Sequence, residues 1–442
     1  MKLAFYSAAA LLYTVTAAML NLSIGSGFAP DTHLYIYALQ CLCTALGLSI
    51  YPALISYKAI LRRHRLVILC ISFLAYVSLS VLIGHVTDIT VVYICAAGIS
   101  VCMGIAVGMS YVYLAAGMST DPHIGLTVGL GGAIAIVAQY ILQLFLALGG
   151  WLNIFTSAAY IYLIYYTCRE NAGSESQPTG SSAIRVSKGL IIPVMVSTSC
   201  FIILAEYFNE QLTILFSAED YFSSPRLLYA VGCLLIGILW DIRRINISPI
   251  VMTAMAVVAF LQPIFLTDPR FYLLDMCLFY LYLGVCVSYN TLCLMKVSDD
   301  TGAYYVSPLY RMCDNLLTGL FVLLGIGRIS FVAITVIDSI VLITAIVCMW
   351  ISGELWISRS HMEIDHAEVL DSDRIETFAS RYGLTERETE VLTLLLTRDD
   401  KGDVMARELG VSRRGFVSFT TSIYHKTDTS SRVGLMQKYM SE

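Results

Sequence analysis

The residues able to do chemistry in this sequence are few, because most of the chain is apolar. Glu206, Asp275 and Asp338 stand inside long hydrophobic stretches, and Gln40, Gln139, Gln143 and Asn290 are the milder polar groups in similar settings. An ionisable side chain in such a setting is expensive, so it faces a cavity or a partner. The chemistry on offer is recognition of a small polar or cationic molecule, with Glu206, Asp275, Gln40 and Gln139 as the ligand-binding candidates. Against this stands a simpler reading of Glu206, in water beside Glu210, Glu219 and Asp220, and a similar one for Asp275, four residues into its stretch. No hydrolytic, phosphoryl-transfer or redox grouping is visible, so no enzyme and no cofactor is expected. The 13 cysteines all precede Trp350 and are scattered, with Cys41 and Cys43 the closest pair and no partnering His. They read as small buried hydrophobes and not as a metal site.

A second polar set lies near the C-terminus. Arg413, Arg414, Ser418, Thr421, Ser422 and Lys426 fall within one short segment.

The elements that must position these residues follow from composition. Of 442 residues, 57% are hydrophobic and 13% charged, against about 25% charged in soluble domains. Such a chain requires lipid as solvent. The charge is also uneven: residues 1–359 hold 16 Lys/Arg and 17 Asp/Glu, and 360–442 hold 11 and 15. A soluble domain therefore follows a membrane body.

About 20 apolar residues cross a bilayer as a helix. Twelve stretches qualify: 3–20, 34–56, 66–84, 89–116, 124–147, 150–167, 189–208, 226–240, 247–266, 271–295, 308–327 and 331–352. A polar, Gly/Ser-rich run over 168–188 divides them into two halves of six, 1–167 and 189–352, and reads as a flexible linker. With the N-terminus inside, thirteen Lys/Arg before residue 360 fall on the cytoplasmic side and three (Arg226, Arg270, Arg328) outside. This bias predicts a multi-pass inner-membrane protein with both termini cytoplasmic. Arg311 and Asp314 then sit near the cytoplasm, three apart on one helix face, as a local ion pair with Arg311 snorkelling.

Six plus six spans about a central linker resembles the major facilitator superfamily. Gly237-Ile-Leu-Trp-Asp241-Ile-Arg243-Arg244 is similar to that superfamily's Gly-x-x-x-Asp-Arg loop motif, a structural element in which an acid flanked by arginines clamps neighbouring helix ends. The corresponding loop of the first half, Tyr57-Lys58-Ala-Ile-Leu-Arg62-Arg63, lacks the acid. The fourth span lacks the embedded Arg of proton-coupled exporters. The fifth carries Gly125-x-x-x-Gly129-Leu-Gly131-Gly132 without the proline of the antiporter motif. Small residues at that spacing serve close helix packing. The resemblance implies a retained architecture with reduced coupling machinery.

An acidic connector spans 353–377, and 378–442 has the pattern of a compact helical domain. Thr385 and Glu388 form a capping box ahead of Leu392, Leu395 and Leu396. Val404, Met405, Ala406 and Leu409 suggest a second helix ended at Gly410, and Ser412 caps a third with Phe416, Phe419, Ile423 and Tyr424. A fourth starts at Ser430 or Ser431. A short helix, a Gly turn and a Ser-capped helix make a helix-turn-helix. Leu384-Thr-x-Arg387-Glu388-x-Glu390-Val391-Leu392, Met405-Ala406-x-x-Leu409-Gly-Val411-Ser412 and Ile423-Tyr424-x-Lys426 resemble the LuxR-type helix-turn-helix family. That resemblance implies DNA as partner, bound as a dimer through the six residues named above. The third helix departs from the family at Gly415-Phe416-Val417-Ser418-Phe419, with Val417 in place of the family's contact Lys. Residues 378–442 carry ten Lys/Arg and nine Asp/Glu, so binding rests on local placement of charge and not on overall attraction.

The expectation is an all-α chain, a major-facilitator-like bundle plus a four-helix LuxR-type domain. Its function would be one-component, membrane-bound transcriptional regulation, with an unknown small molecule sensed in the bilayer-embedded body. The alternatives are a transporter whose degenerate C-terminal domain is regulatory, or the same shape with a protein partner in place of DNA.

Overall fold

The computed structural model describes residues 2–25, 30–57, 65–86, 88–115, 123–145, 151–173, 191–215, 224–242, 247–265, 269–301, 303–325, 329–369, 372–397, 406, 409–429 and 432–441. It divides into two compact units, Met1–Ser352 and Gly353–Glu442.

Helices α1 Lys2–Gly25, α2 Pro30–Tyr57, α3 Arg65–Ile83, α4 Ile89–Ala115, α5 Ile124–Phe145 and α6 Trp151–Gly173 make the first half of the larger unit. The second half holds α7 Ile191–Leu215, α8 Leu227–Asp241, α9 Ser248–Phe265, α10 Tyr272–Thr301, α11 Leu309–Leu324 and α12 Phe331–Val369. Each coincides with one expected span, because continuous apolar sequence leaves the backbone no partner but itself in lipid. Among the described residues seven helices are long and apolar enough to cross a membrane, and α7 and α9 carry shorter apolar stretches. Large apolar side chains also point outward, Leu74, Ile94 and Leu324 among them, the last 74% exposed. A surface so rich in aliphatic groups belongs against lipid tails. The protein is a multi-pass membrane protein.

Within the first half α2 packs on α4 and α1 on α5 and α6; within the second, α8 and α9 pack on α10, and α7 on α11. Among the described residues the most extensive contacts between the halves are α5 with α8 and α2 with α11. Counting six helices per half, α2 corresponds to α8 and α5 to α11, so the two joints are equivalent by the internal repeat. Small residues permit the α5–α8 joint. A Cβ on Gly129 would come within 2.5 Å of the Cys233 carbonyl, and one on Gly237 within 2.6 Å of that of Gly125. Glycine is required there because the backbones touch.

The smaller unit contains the end of α12, then α13 Ser372–Arg381, α14 Glu386–Thr397, α15 Arg413–Lys426 and α16 Arg432–Ser441. The acidic connector expected over 353–377 is thus largely helical. The polar linker lies outside the described residues from 174 onward, as does most of the expected second helix, of which Ala406 is described as helical and buried. Phe378, Val391, Leu392, Leu395, Phe416, Ile423, Leu435 and Tyr439 form the unit's own core. Gly383 and Gly410 take φ values of 60° and 67°, the left-handed conformation that ends a helix at little cost in glycine. Leu384 N–H closes the first of these ends by donating to the Ala379 carbonyl at 2.8 Å.

Candidate ligand cavity and the C-terminal helix pair

A cavity of about 170 Å³ lies between the two halves, lined by α1, α2, α4, α7, α8, α10 and α11 and by Arg226, just before α8. Its most polar wall is α11. Arg311, Asp314, Asn315 and Thr318 follow one another at i, i+3, i+4 and i+7, so they occupy one face of a helix otherwise built from Leu, Tyr, Met, Cys, Gly, Phe and Val. Arg311 Nη1 donates to Asp314 Oδ2 at 3.1 Å, and its Nη2 to the Tyr229 hydroxyl at 3.3 Å. Its guanidinium lies 4.9 Å from the Tyr13 ring centre and 5.5 Å from that of Tyr310, within cation–π reach of both. Asn315 Nδ2 donates to the Tyr13 hydroxyl at 2.9 Å and to the Arg311 carbonyl at 2.7 Å. The Tyr13 contacts cross from one half to the other.

Glu206 is 7% exposed and belongs to this cavity. The Thr318 hydroxyl donates to its Oε1 at 2.6 Å, so α7 and α11 share one hydrogen bond at the cavity wall. Gln40 is buried and lines the cavity from α2. Gln139 stands behind it, with Oε1 accepting from Arg226 Nη2 at 3.2 Å. Asp275 is not in the lining; it is 0% exposed and lies elsewhere, where Gln262 Nε2 donates to its backbone carbonyl at 3.2 Å. Glu206 and Asp275 therefore do not act on one ligand from one cavity. Asn290 is occupied structurally, accepting from Thr198 and donating to the Cys286 carbonyl. The side chain of Gln143 lies outside the described residues.

The expected snorkelling of Arg311 is corrected here: it lines the cavity with Asp314 and is held by aromatic and hydroxyl groups. Its i, i+3, i+4, i+7 polar stripe was readable in the sequence. Arg226, which the charge pattern assigns to an outer loop, also reaches the cavity.

In the loop motif, Asp241 accepts from the backbone N–H of Gly125 through Oδ1 and of Leu126 through Oδ2, each at 2.8 Å. The N-terminus of α5 presents unpaired N–H groups and partial positive charge, and a carboxylate there satisfies both. Gly237 lets α8 approach closely enough for this contact. Arg243 and Arg244 lie outside the described residues.

In the smaller unit the Ser412 hydroxyl accepts from Gly415 N–H at 3.1 Å and caps α15. Arg413, Arg414, Ser418 and Thr421 are exposed on α15, with Val417 between them at 55% exposure. Ser422 and Lys426 are placed differently. Both donate to the Glu388 carboxylate at 2.6 Å, and Lys426 also donates to the Gly383 carbonyl at 2.9 Å. Thr385 completes the shell, donating to Glu388 Oε2 from its N–H at 2.7 Å and its hydroxyl at 3.0 Å. Burial works against charge on Glu388, but Lys426, Ser422 and Thr385 outweigh it and hold the carboxyl down at about 2. Of six expected contact residues, four share the exposed face and two fasten α15 to α14.

No protein-family profile and no curated protein matches this sequence. Solved structures do match its fold. The human organic anion transporter MFSD10 (TETRAN) aligns with TM-score 0.53 at 10% identity, over 79% of this chain and 97% of that one. A bacterial homologue of the iron transporter ferroportin, in an outward-facing state, aligns with TM-score 0.54 at 11% identity, over 82% of this chain and 100% of that one. The membrane body has a major-facilitator-like fold. At such identities the likeness concerns the fold alone.

Proposed function

We propose that this chain is a membrane transporter of a small charged or polar organic molecule, with its C-terminal helical domain serving as a regulatory or protein-interaction module. The observation that carries the reading is the cavity between the halves, where Glu206, Arg226, Arg311 and Asp314 line one space. Charged side chains of both signs in a membrane interior are costly to keep and mark a substrate path. The organic anion and iron transporters with similar folds lend support to a transport role. The Tyr13–Asn315 contact crosses the two halves beside the cavity, so a ligand that favours one arrangement of the halves would shift their equilibrium. The test is flux of labelled organic anions, cations and zwitterions into proteoliposomes. Uptake above protein-free vesicles, lost in Glu206→Gln and Arg311→Gln, is the expected result; no uptake of any probe by folded protein sinks the proposal.

A second reading is favoured by one observation. The Ser412-capped helix exposes Arg413, Arg414, Ser418 and Thr421 together, and the segments around it resemble the LuxR-type helix-turn-helix. On this reading the body senses a ligand and the cytoplasmic domain binds DNA. Chromatin precipitation with sequencing distinguishes the two: discrete, reproducible sites support the regulator, and their absence leaves transport.

A further inference from the structure

The cavity between the halves is charged on one side only. Among the described residues its lining holds two acids and two bases, Glu206, Asp314, Arg226 and Arg311, all from the second half. The first half lines it with uncharged polar groups, Thr14, Thr16, Gln40 and Ser100 among them. Formally the four charges cancel. Arg311 and Asp314 bond to each other at 3.1 Å. Glu206 and Arg226 bond to neutral side chains: Thr318 Oγ1 donates to the first at 2.6 Å, and Gln139 Oε1 accepts from the second at 3.2 Å. From the first half, Gln40 is 6% exposed, and its Nε2 has no hydrogen-bond partner among the described residues. A buried donor without an acceptor is unfavourable, so the cavity favours a ligand that brings one.

Volume sets the size of that ligand. A cavity of about 150 Å³ holds a benzene-sized molecule. This one is about 170 Å³, which suits about six to eight non-hydrogen atoms. Charge sets the class. In a low-dielectric interior, a ligand with a single net charge unbalances a wall that is neutral overall. An apolar ligand covers charged groups without replacing their hydrogen bonds to water. A molecule with one positive and one negative end does neither. It offers Glu206 a donor, and the arginines and Gln40 an acceptor, through charge-assisted hydrogen bonds. We propose that the ligand of this cavity is a small zwitterion, with an amino acid as the simplest chemical class. The proposal rests on the reading of the cavity as a substrate site, and narrows its substrate to a molecule that is doubly charged and neutral overall.

The test titrates the full-length protein in detergent with four molecules of one size at neutral pH: alanine, its amide (a cation), lactate (an anion) and lactamide (uncharged). Proline and β-alanine, each beside its amide, repeat the comparison in other shapes. At least one zwitterion should raise the thermal unfolding midpoint in a saturating manner, by about 2–4 °C near full occupancy. Its singly charged and uncharged counterparts should bind at least about tenfold more weakly. Gln40→Glu keeps the shape of the side chain and gives the wall a net negative charge. It should therefore shift the preference from the zwitterion toward its amide by about tenfold. If a counterpart binds as tightly as its zwitterion, or none of the zwitterions binds, the proposal fails; these wild-type titrations decide it even if the variant does not fold. A folded Gln40→Glu with unchanged preference also overturns it, because charge balance then does not select the ligand. Counterflow in proteoliposomes keeps the two readings apart. A zwitterion that binds but is never exchanged sinks transport and keeps the ligand class. Exchange of a singly charged molecule without zwitterion binding keeps transport and sinks the class.

Discussion

Glu388 and Asp275 are both buried carboxylates, and they are treated in opposite ways. Glu388, in the smaller unit, accepts from two groups of Thr385, from Ser422 and from Lys426. Among the described residues, neither oxygen of Asp275, in the membrane body, has a donor within good hydrogen-bond geometry. The first is an ionised fastener that joins two helices of the C-terminal unit. The second lacks a comparable set of donors among the described residues. Burial alone therefore says little about what a carboxylate does; the donors brought to it decide whether its charge is spent on structure or kept for a ligand. Arg311 and Asp314 stand between these cases, paired at 3.1 Å yet facing a cavity.

That intermediate pair gives the largest expected effect. Arg311→Leu leaves Asp314 in the membrane interior without its cation, and breaking such a pair costs about 3–5 kcal/mol. The thermal midpoint of the purified protein should fall sharply and recover in part in Arg311→Leu/Asp314→Asn. An unchanged midpoint would mean that water in the cavity already screens the pair, and the contrast with Glu388 would lose its middle term.

Glu388→Gln comes next. Lys426 would lose its charged acceptor, at a cost of about 1–3 kcal/mol, read as faster proteolysis of the C-terminal unit in the full-length protein. The pH dependence has a definite sign. The folded-state carboxyl sits at about 2 against an ordinary 4.5, so its contribution is complete above the ordinary value. It is lost as pH falls from about 4.5 toward 2. Protection that does not weaken in that window would contradict the fastener role.

Asp241→Ala removes the acceptor for Gly125 and Leu126 N–H and should cost about 1 kcal/mol, the usual effect of deleting a helix cap. Hydrogen exchange at the start of α5 is the measurement, and faster exchange confined to that end is expected.

The smallest effect on stability belongs to Val417→Lys. The position is 55% exposed, so stability should change by less than about 0.5 kcal/mol. Fluorescence anisotropy on duplex DNA at two salt concentrations then separates the two readings of the domain. Gained affinity with a steeper salt slope favours DNA, and none favours a protein partner.

Much of the fold was legible in advance. The twelve apolar stretches, the small residues of α5 and the Thr385/Glu388 capping box each depend on residues within a few positions, where periodicity and local chemistry suffice. The polar stripe of α11 is equally legible, but Arg311 and Asp314 by themselves fit a pair at the membrane edge as well as a cavity wall. The roles of Lys426 and Ser422 were not legible, because their acceptor Glu388 lies 38 and 34 positions away. A cation on a helix reads as phosphate-seeking until its acid is located.

The sequence alone assigns lipid as the solvent of the twelve apolar stretches, since transfer free energy depends on composition and not on arrangement. It also determined where helices run and which glycines pack. The packing of the helices settled which polar groups meet. It placed Glu206 with Thr318 on the cavity, set the Gln262 amide on the Asp275 backbone carbonyl, and set Asp241 on the first turn of α5. Those are contacts between segments distant in sequence or matters of side-chain orientation, and hydrogen bonding, being directional and short-ranged, is fixed only when the helices have packed.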